Sequence, residues 1–124
     1  MISIKDRSVL WALLAHKYEL KLSRIMMWLD SLYPDRIVIT CGKRPGDKGV
    51  HGTDPCRGID IRSWVFNSPQ RIVDHINKTW VYDPMRPEKK CAILHDAGSG
   101  PHIHIQSHPN TTKRDELDRG FENG

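Results

Sequence analysis

Two short segments, each alternating between apolar and ionisable residues, constrain the fold of this chain more than any other feature. In the segment RGIDIR the two isoleucines point one way and Asp60 points the other, because side chains alternate across a strand. In the segment HIHIQ the two isoleucines again share one face, and His102 and His104 share the other. The sequence therefore predicts two strands, each with one apolar face and one face of ligand-type groups. If these faces come together, His51, Asp60, His102 and His104 can converge on one point. Two imidazoles and a carboxylate with an open fourth position are the pattern of a catalytic zinc site.

The rest of the chain predicts helices and strands around this pair. A three/four spacing of apolar residues predicts a helix over 3–33 that Asp6 or Ser3 caps, and a break near 19–21 is compatible with the pattern. The other predicted elements are a strand over 36–40, a helix over 69–80 and a hairpin of strands over 91–95 and 102–107. This order predicts an α+β fold, with helices on one face of a small, mostly antiparallel sheet.

Length and composition indicate one domain. We expect residues 1–108 to form it and the polar residues 109–124 to be a mobile tail or a short peripheral helix. No apolar run approaches the roughly 20 residues of a membrane span. The N-terminus lacks the features of a signal peptide, so we expect synthesis in the cytoplasm. The three cysteines have no metal-knot spacing, which favours free thiols.

The net charge of +4 is compatible with an anionic partner such as nucleic acid or a cell-wall polymer. The basic residues are dispersed rather than clustered. The tryptophans fall mostly at helix or core positions, not in a basic stacking groove. Nucleic-acid binding is therefore the less favoured class.

Simpler explanations exist for the ionisable residues of the two strands. A His-x-His pair is often two solvent-facing imidazoles. Asp60 needs a partner if it is buried, and Arg62 on the same strand face is one candidate besides a metal.

The stretch ITCGKRPGDKGVHGTDPCRGIDIRS, followed by HIHIQ, resembles the zinc peptidases that cut peptidoglycan stems and cross-bridges. These are the D-alanyl-D-alanine carboxypeptidases and L-alanyl-D-glutamate endopeptidases, including phage endolysins, and the Hedgehog signalling domain shares their fold. The resemblance covers roughly residues 37–107 and implies a Hedgehog/D-Ala-D-Ala peptidase-like fold.

The resemblance also implies roles for individual residues. His51, Asp60 and His104 fall at the three zinc ligands. His102 falls at a histidine beside the metal, where it would orient water or stabilise the oxyanion, and Arg44 falls at an arginine that contacts the substrate.

The chain departs from the family pattern in three places. His51 and Asp60 are nine positions apart, whereas the family usually separates the two ligands by about seven. The longer gap contains Asp54, which is therefore a rival oxygen ligand. Lys43 replaces the tyrosine before the family arginine. In the family, a carboxylate a few residues before the final histidine acts as general base. Only Asp96 is available for this role here, and the neighbouring His95 is a second candidate.

The sequence therefore predicts a zinc-dependent peptidase that hydrolyses a peptide bond in peptidoglycan. A bacteriophage endolysin that reaches the wall after release during lysis would fit this reading. The bond that is cut, carboxypeptidase or endopeptidase action, and the oligomeric state are left open. One alternative is a non-catalytic, zinc-bound Hedgehog-like binding module. A basic nucleic-acid-binding protein is a second, less favoured alternative.

Overall fold

The computed structural model describes residues 1–96, 98 and 100–123 of the chain. Within these residues the fold is α+β, with four α-helices and seven β-strands. The helices are α1 (Arg7–Ala15), α2 (Leu20–Leu32), α3 (Pro69–Thr79) and α4 (Arg114–Asn123). The strands are β1 (Ser3–Ile4), β2 (Val38–Cys41), β3 (Gly58–Arg62), β4 (Trp80–Val81), β5 (Ala92–Asp96), β6 (Pro101–Gln106) and β7 (Thr112–Lys113). None of the helices in this part of the chain has the length and apolar character to cross a membrane.

Five of these strands form one sheet in the order β1–β2–β3–β6–β5. β1 runs parallel to β2, and the other three neighbouring pairs are antiparallel. The sheet is therefore mixed, and the prediction of a mostly antiparallel sheet is corrected. The parallel pair arises because α1 and α2 separate β1 from β2, and a long helical connection allows the chain to return in the same direction. Strands β4 and β7 form a separate two-stranded ribbon.

The two faces of the five-stranded sheet differ as the alternation predicts. One face buries the isoleucines of β3 and β6 in a core shared with apolar side chains of α2 and α3. Each such side chain contributes about 1.5–3 kcal/mol when it is fully buried. The opposite face carries Asp60, His102 and His104, which line an open cavity. Because the helices occupy the isoleucine face, the ligand-type groups remain accessible.

The N-terminal region forms two helices, and the break between them falls close to residues 19–21, where the sequence allowed one. The break precedes Glu19, whose carboxylate accepts a hydrogen bond from the Lys21 N–H at 2.8 Å and caps α2. Tyr18, which lies between the two helices, forms an isolated β-bridge with Cys56. Asp6 caps α1 by accepting from the Val9 N–H at 3.1 Å, as the sequence indicated.

The segment expected to be a polar tail or peripheral helix forms β7 and α4. Within this segment, just before β7, the side chain of Thr111 is fully buried and donates a hydrogen bond to the Tyr82 carbonyl at 2.7 Å. Lys21 Nζ in turn donates to the Thr111 carbonyl at 2.8 Å. The packed body of the protein therefore extends beyond residue 108 to at least Thr111.

Asn77 connects α3 to the edge strand β5 through two hydrogen bonds to Ala92, each of 2.9 Å. In Asn77→Ala the N–H and carbonyl of the buried Ala92 lose these partners. We therefore expect the free energy of unfolding to fall by about 2–3 kcal/mol, measured by urea denaturation. The control Asn67→Ala removes an exposed amide and should change stability by less than about 0.5 kcal/mol. Equal stability of the two variants would contradict this account of Asn77.

Candidate metal centre

Three side chains from three separate segments meet at one point. Asp60 on β3 lies directly opposite His104 on β6, and the buried His51 is supplied by a 3-10 turn, Val50–Gly52. Asp60 Oδ1 is 3.0 Å from His51 Nε2 and 2.9 Å from His104 Nδ1. The two ring nitrogens are 3.2 Å apart. Ligand atoms bonded to tetrahedral zinc at about 2.0–2.1 Å lie about 3.3 Å from one another, so this triangle is close to the required size.

The hydrogen bond on the far side of the His51 ring determines which nitrogen carries its proton. His51 Nδ1 lies 2.8 Å from the carbonyl oxygen of Gly42. A carbonyl oxygen can only accept, so Nδ1 is the donor, and the Nε2 of the neutral ring presents a lone pair to Asp60 and His104. Metal-binding histidines commonly donate their second ring N–H to a carbonyl in this way.

The His104 ring is oriented by an equivalent contact. Its Nε2 lies 3.0 Å from Gln106 Oε1, and the Gln106 amide nitrogen donates to the Lys90 carbonyl at 2.8 Å. The Lys90 carbonyl fixes the amide so that its oxygen faces the ring. His104 Nε2 is therefore a donor, and the Nδ1 of the neutral ring presents a lone pair towards Asp60.

Two ring lone pairs and a carboxylate oxygen thus face one another with no proton between them, an arrangement that requires a cation or an added proton. Burial alone would lower the pKa of His51, but its hydrogen bond to Asp60, with smaller contributions from Cys41 and Gly42, raises that pKa to about 10. Burial alone would raise the pKa of Asp60, but its hydrogen bonds with His104 and His51 hold it well below its usual range. Without a metal, His51 therefore carries the balancing positive charge.

A glycine allows the His51 turn to approach β6. A Cβ added at Gly58 would lie 2.7 Å from Val50 Cγ2 and 3.4 Å from His104 Cε1. The first distance is shorter than real Cβ contacts, so the Val50 side chain or the turn that carries it would have to shift if Gly58 were replaced. Gly58 therefore helps to hold His51 within reach of His104.

Cys41 is a fourth ligand-type residue at this centre, and the sequence reasoning treated it only as a free thiol. The register of β2 shifts between Ile39 and Cys41, which brings Cys41 opposite Asp60. Cys41, His51 and Asp60 lie close enough to hold a metal ion, with one ligand atom from each within 4.8 Å of the others. Cys41 Sγ lies 3.9 Å from His51 Nδ1, the nitrogen already committed to the Gly42 carbonyl. The sequence feature that could have indicated Cys41 as a ligand is its position at the end of the strand that precedes the His51 loop.

Arg44, His102 and His95 also line the cavity that contains the metal centre, which has a volume of about 590 Å³. His95 on β5 lies directly opposite His102 on β6. Arg44 is half exposed, and its guanidinium contacts Asp47 Oδ2 at 3.1 Å. The structure therefore brings the predicted arginine and both histidines to the same cavity as the three predicted ligands.

Asp96, expected to act as general base, does not line this cavity in the part of the chain that the structure describes. It follows His95 on β5, so strand alternation directs its side chain away from the ligand face. Its Oδ1 accepts hydrogen bonds from the N–H groups of Gly98 and Gly100, at 2.8 and 3.2 Å. The rival ligand Asp54 lines a different cavity, beside Arg57.

No protein-family model matches the sequence, and neither a curated protein nor a solved structure matches the chain. What the protein does must therefore be inferred from the geometry of its own residues.

The two overlapping ligand sets make different predictions for zinc binding. We expect His104→Ala to abolish stoichiometric zinc binding and Cys41→Ser to retain it, because the lone pairs of His51 and His104 converge with Asp60. Zinc content after dialysis, measured by atomic emission, tests this. The control His16→Ala lies outside the site and should bind zinc normally. Zinc lost in Cys41→Ser but kept in His104→Ala would instead favour Cys41 as the third ligand.

Zinc binding should release a proton from His51. At about pH 7 this ring is protonated in the metal-free protein, because its pKa is about 10, and it must become neutral to act as a ligand. The apparent affinity should therefore rise about tenfold per pH unit between about pH 6 and pH 8 from this group alone. Calorimetry in buffers of different ionisation enthalpy measures the released protons. Release of no proton would contradict the raised pKa of His51.

Proposed function

We propose that this chain is a zinc-dependent peptidase that hydrolyses a peptide bond in peptidoglycan. The proposal includes a Hedgehog/D-Ala-D-Ala peptidase-like fold and an endolysin-type role, which the sequence resemblance implies. Its main support is the convergence of His51 Nε2, Asp60 Oδ1 and His104 Nδ1 within 3.2 Å of one another. Two imidazoles and one carboxylate are a ligand set of catalytic zinc sites, in which a further position is left for water or substrate.

The donor set fits zinc in its chemistry as well as its spacing. His51, Asp60 and His104 would hold the ion, and their hydrogen bonds to Gly42 and Gln106 already orient the two rings. When bound, zinc supplies Lewis acidity, which polarises a peptide carbonyl and lowers the pKa of water towards about 7.

His102 is the group proposed to move the proton. It lies two positions from His104 on the same face of β6 and lines the same cavity. A neutral imidazole there can take a proton from water and later deliver it to the leaving amine. His95, directly opposite on β5, is the second candidate for this step. Asp96 is not retained as the base, because its carboxylate caps the turn after β5 instead.

Arg44 is proposed to hold the substrate. Its side chain lines the cavity, is 55% exposed and contacts only one carboxylate among the described residues, that of Asp47. A planar guanidinium with free donors suits a substrate carboxylate or carbonyl. Arg44 therefore positions the peptide and is not expected to take part in proton transfer.

The second candidate function is a zinc-bound module without catalysis, and Cys41 is the observation that favours it. Its thiol lies close to His51 and Asp60. If Cys41 joined the other three ligands, all four tetrahedral positions would be filled by protein, as in structural zinc sites. No position would then be left for water, and the protein would bind zinc tightly without cleaving peptides.

Purified murein digested with the zinc-loaded protein should yield new amino termini, detected by labelling and mass spectrometry. We expect His102→Ala to retain zinc and to lower turnover by about 10²–10⁴-fold, the range of general-base contributions. Asp96→Ala is the matched control and should keep both zinc and activity.

Three results would contradict the proposal or its assignments. Inert murein beside stoichiometric zinc would favour the non-catalytic module. Loss of turnover in Asp96→Ala but not in His102→Ala would restore Asp96 as the base. A defect confined to His95→Ala would move the proton step to that ring.

A further inference from the structure

The cavity of the metal centre continues beyond His102 into a smaller cavity of about 260 Å³. The two cavities share the residues Lys5, Thr40 and His102. The smaller one is also lined by Arg62, Ser63, Trp64, Gly100 and Pro101. A ligand at the metal centre can therefore extend along the ligand face of the sheet into this second space.

The second cavity is cationic. Lys5 and Arg62 both line it, and neither an aspartate nor a glutamate is among its described lining residues. Neither cation forms a salt bridge with any described part of the chain. By contrast, the nearby Arg44 is paired with Asp47. Two uncompensated cations on the wall of a small cavity favour an anionic group there.

The guanidinium of Arg62 is held in a defined position. It lies over the ring of Trp64, 4.9 Å from the ring centroid, and the Trp64 side chain is 74% exposed. Stacking of this kind restrains the planar group while leaving its edge donors free. A restrained guanidinium loses less conformational entropy when it binds a carboxylate through two parallel hydrogen bonds. The stacking also accounts for a large aromatic side chain that is otherwise exposed to solvent.

The distance between Arg62 and the candidate metal centre is compatible with a side chain near the cleaved bond of a bound peptide. Arg62 follows Asp60 by two residues on β3 and lies directly opposite His102 on β6. Two residues of a strand span about 6.6–6.8 Å, which is also about the length of two residues of an extended peptide. An anion in the second cavity would therefore belong to a residue one or two positions from the bond at the metal centre.

We infer that Lys5, Arg62 and Trp64 form a subsite for a carboxylate of an acidic peptide whose cleaved bond lies at the metal centre. The inference rests on the proposed function, and it assigns to these three residues the selection of an acidic side chain near the cleaved bond. Arg62 binds the carboxylate through its guanidinium edge, Lys5 adds a second positive charge to the lining of the cavity, and Trp64 keeps Arg62 in place.

Binding of two blocked tripeptides tests the subsite without any need for turnover. The probes are N-acetyl-Ala-Glu-Ala-amide and N-acetyl-Ala-Gln-Ala-amide, titrated into the 124-residue chain and followed by amide chemical shifts in NMR spectra. The titrations are run with zinc bound and again after chelation. We expect the glutamate peptide to bind about tenfold more tightly than the glutamine peptide, as for one charge-assisted contact.

Variants then assign the preference to residues. Arg62→Gln and Lys5→Gln should each reduce the preference for the glutamate peptide by about threefold or more, and Arg62→Lys should keep part of it because the charge remains. The matched control is Arg71→Gln, which removes an exposed arginine from α3. The apolar side chains of α3 pack into the core on the other face of the sheet, so this change should leave the preference for the glutamate peptide unchanged. The NMR spectra of the free variants report whether each one is folded.

Several outcomes would overturn the inference. They are equal binding of the two peptides, no binding of either at millimolar concentration, and a preference that survives both Arg62→Gln and Lys5→Gln. A preference lost only in Arg44→Gln would place the carboxylate at Arg44 instead. Failure of the proposed function gives a different result: the protein would bind no zinc or would leave murein uncut. The peptide preference could still be measured on the metal-free protein in that case.

Discussion

The structure depends most on an electrostatic constraint at the centre of its sheet, where three hydrogen-bond acceptors face one another without a proton between them. Water reaches this cluster only from the side of the open cavity, because His51 is buried and the side chains of Asp60 and His104 are only 18% and 15% exposed. The cluster is tolerated because it can take up positive charge, either as a metal ion or as a proton on His51. Packing on the opposite face holds the strands in register, so the apolar core maintains the geometry of the polar cluster.

Much of this arrangement could be predicted from the alternation in two short segments. A period of two places Asp60, His102 and His104 on one face, and burial of the intervening isoleucines requires that face to point away from the core. The same alternation places the side chains of Asp96 and His95 on opposite faces of β5. The expectation for Asp96 relied instead on its position along the chain relative to His104, and distance along a sequence does not determine the direction of a side chain.

Other features had no comparable signal. The strands β1, β4 and β7 each contain two residues, which is too short for any periodicity, so the parallel pairing of β1 could not be anticipated. The approach of Cys41 to Asp60 depends on a local shift of register in β2, and such a shift is set by tertiary packing. The alignment of Lys5 with Arg62 likewise needs the complete sheet, because β1 and β3 lie on opposite sides of β2.

The contact between Gln106 and His104 has a consequence for the whole candidate metal centre. A half-turn of the Gln106 carboxamide about its last side-chain bond would present NH₂ to the ring instead of oxygen. The imidazole would then have to accept at Nε2, and its hydrogen would move to Nδ1, where it would point at the place a cation needs. The carbonyl of Lys90 opposes that reversal, since it would face an oxygen and lose its donor. A backbone group in the loop before β5 thus governs whether His104 offers electrons or hydrogen to the centre of the site.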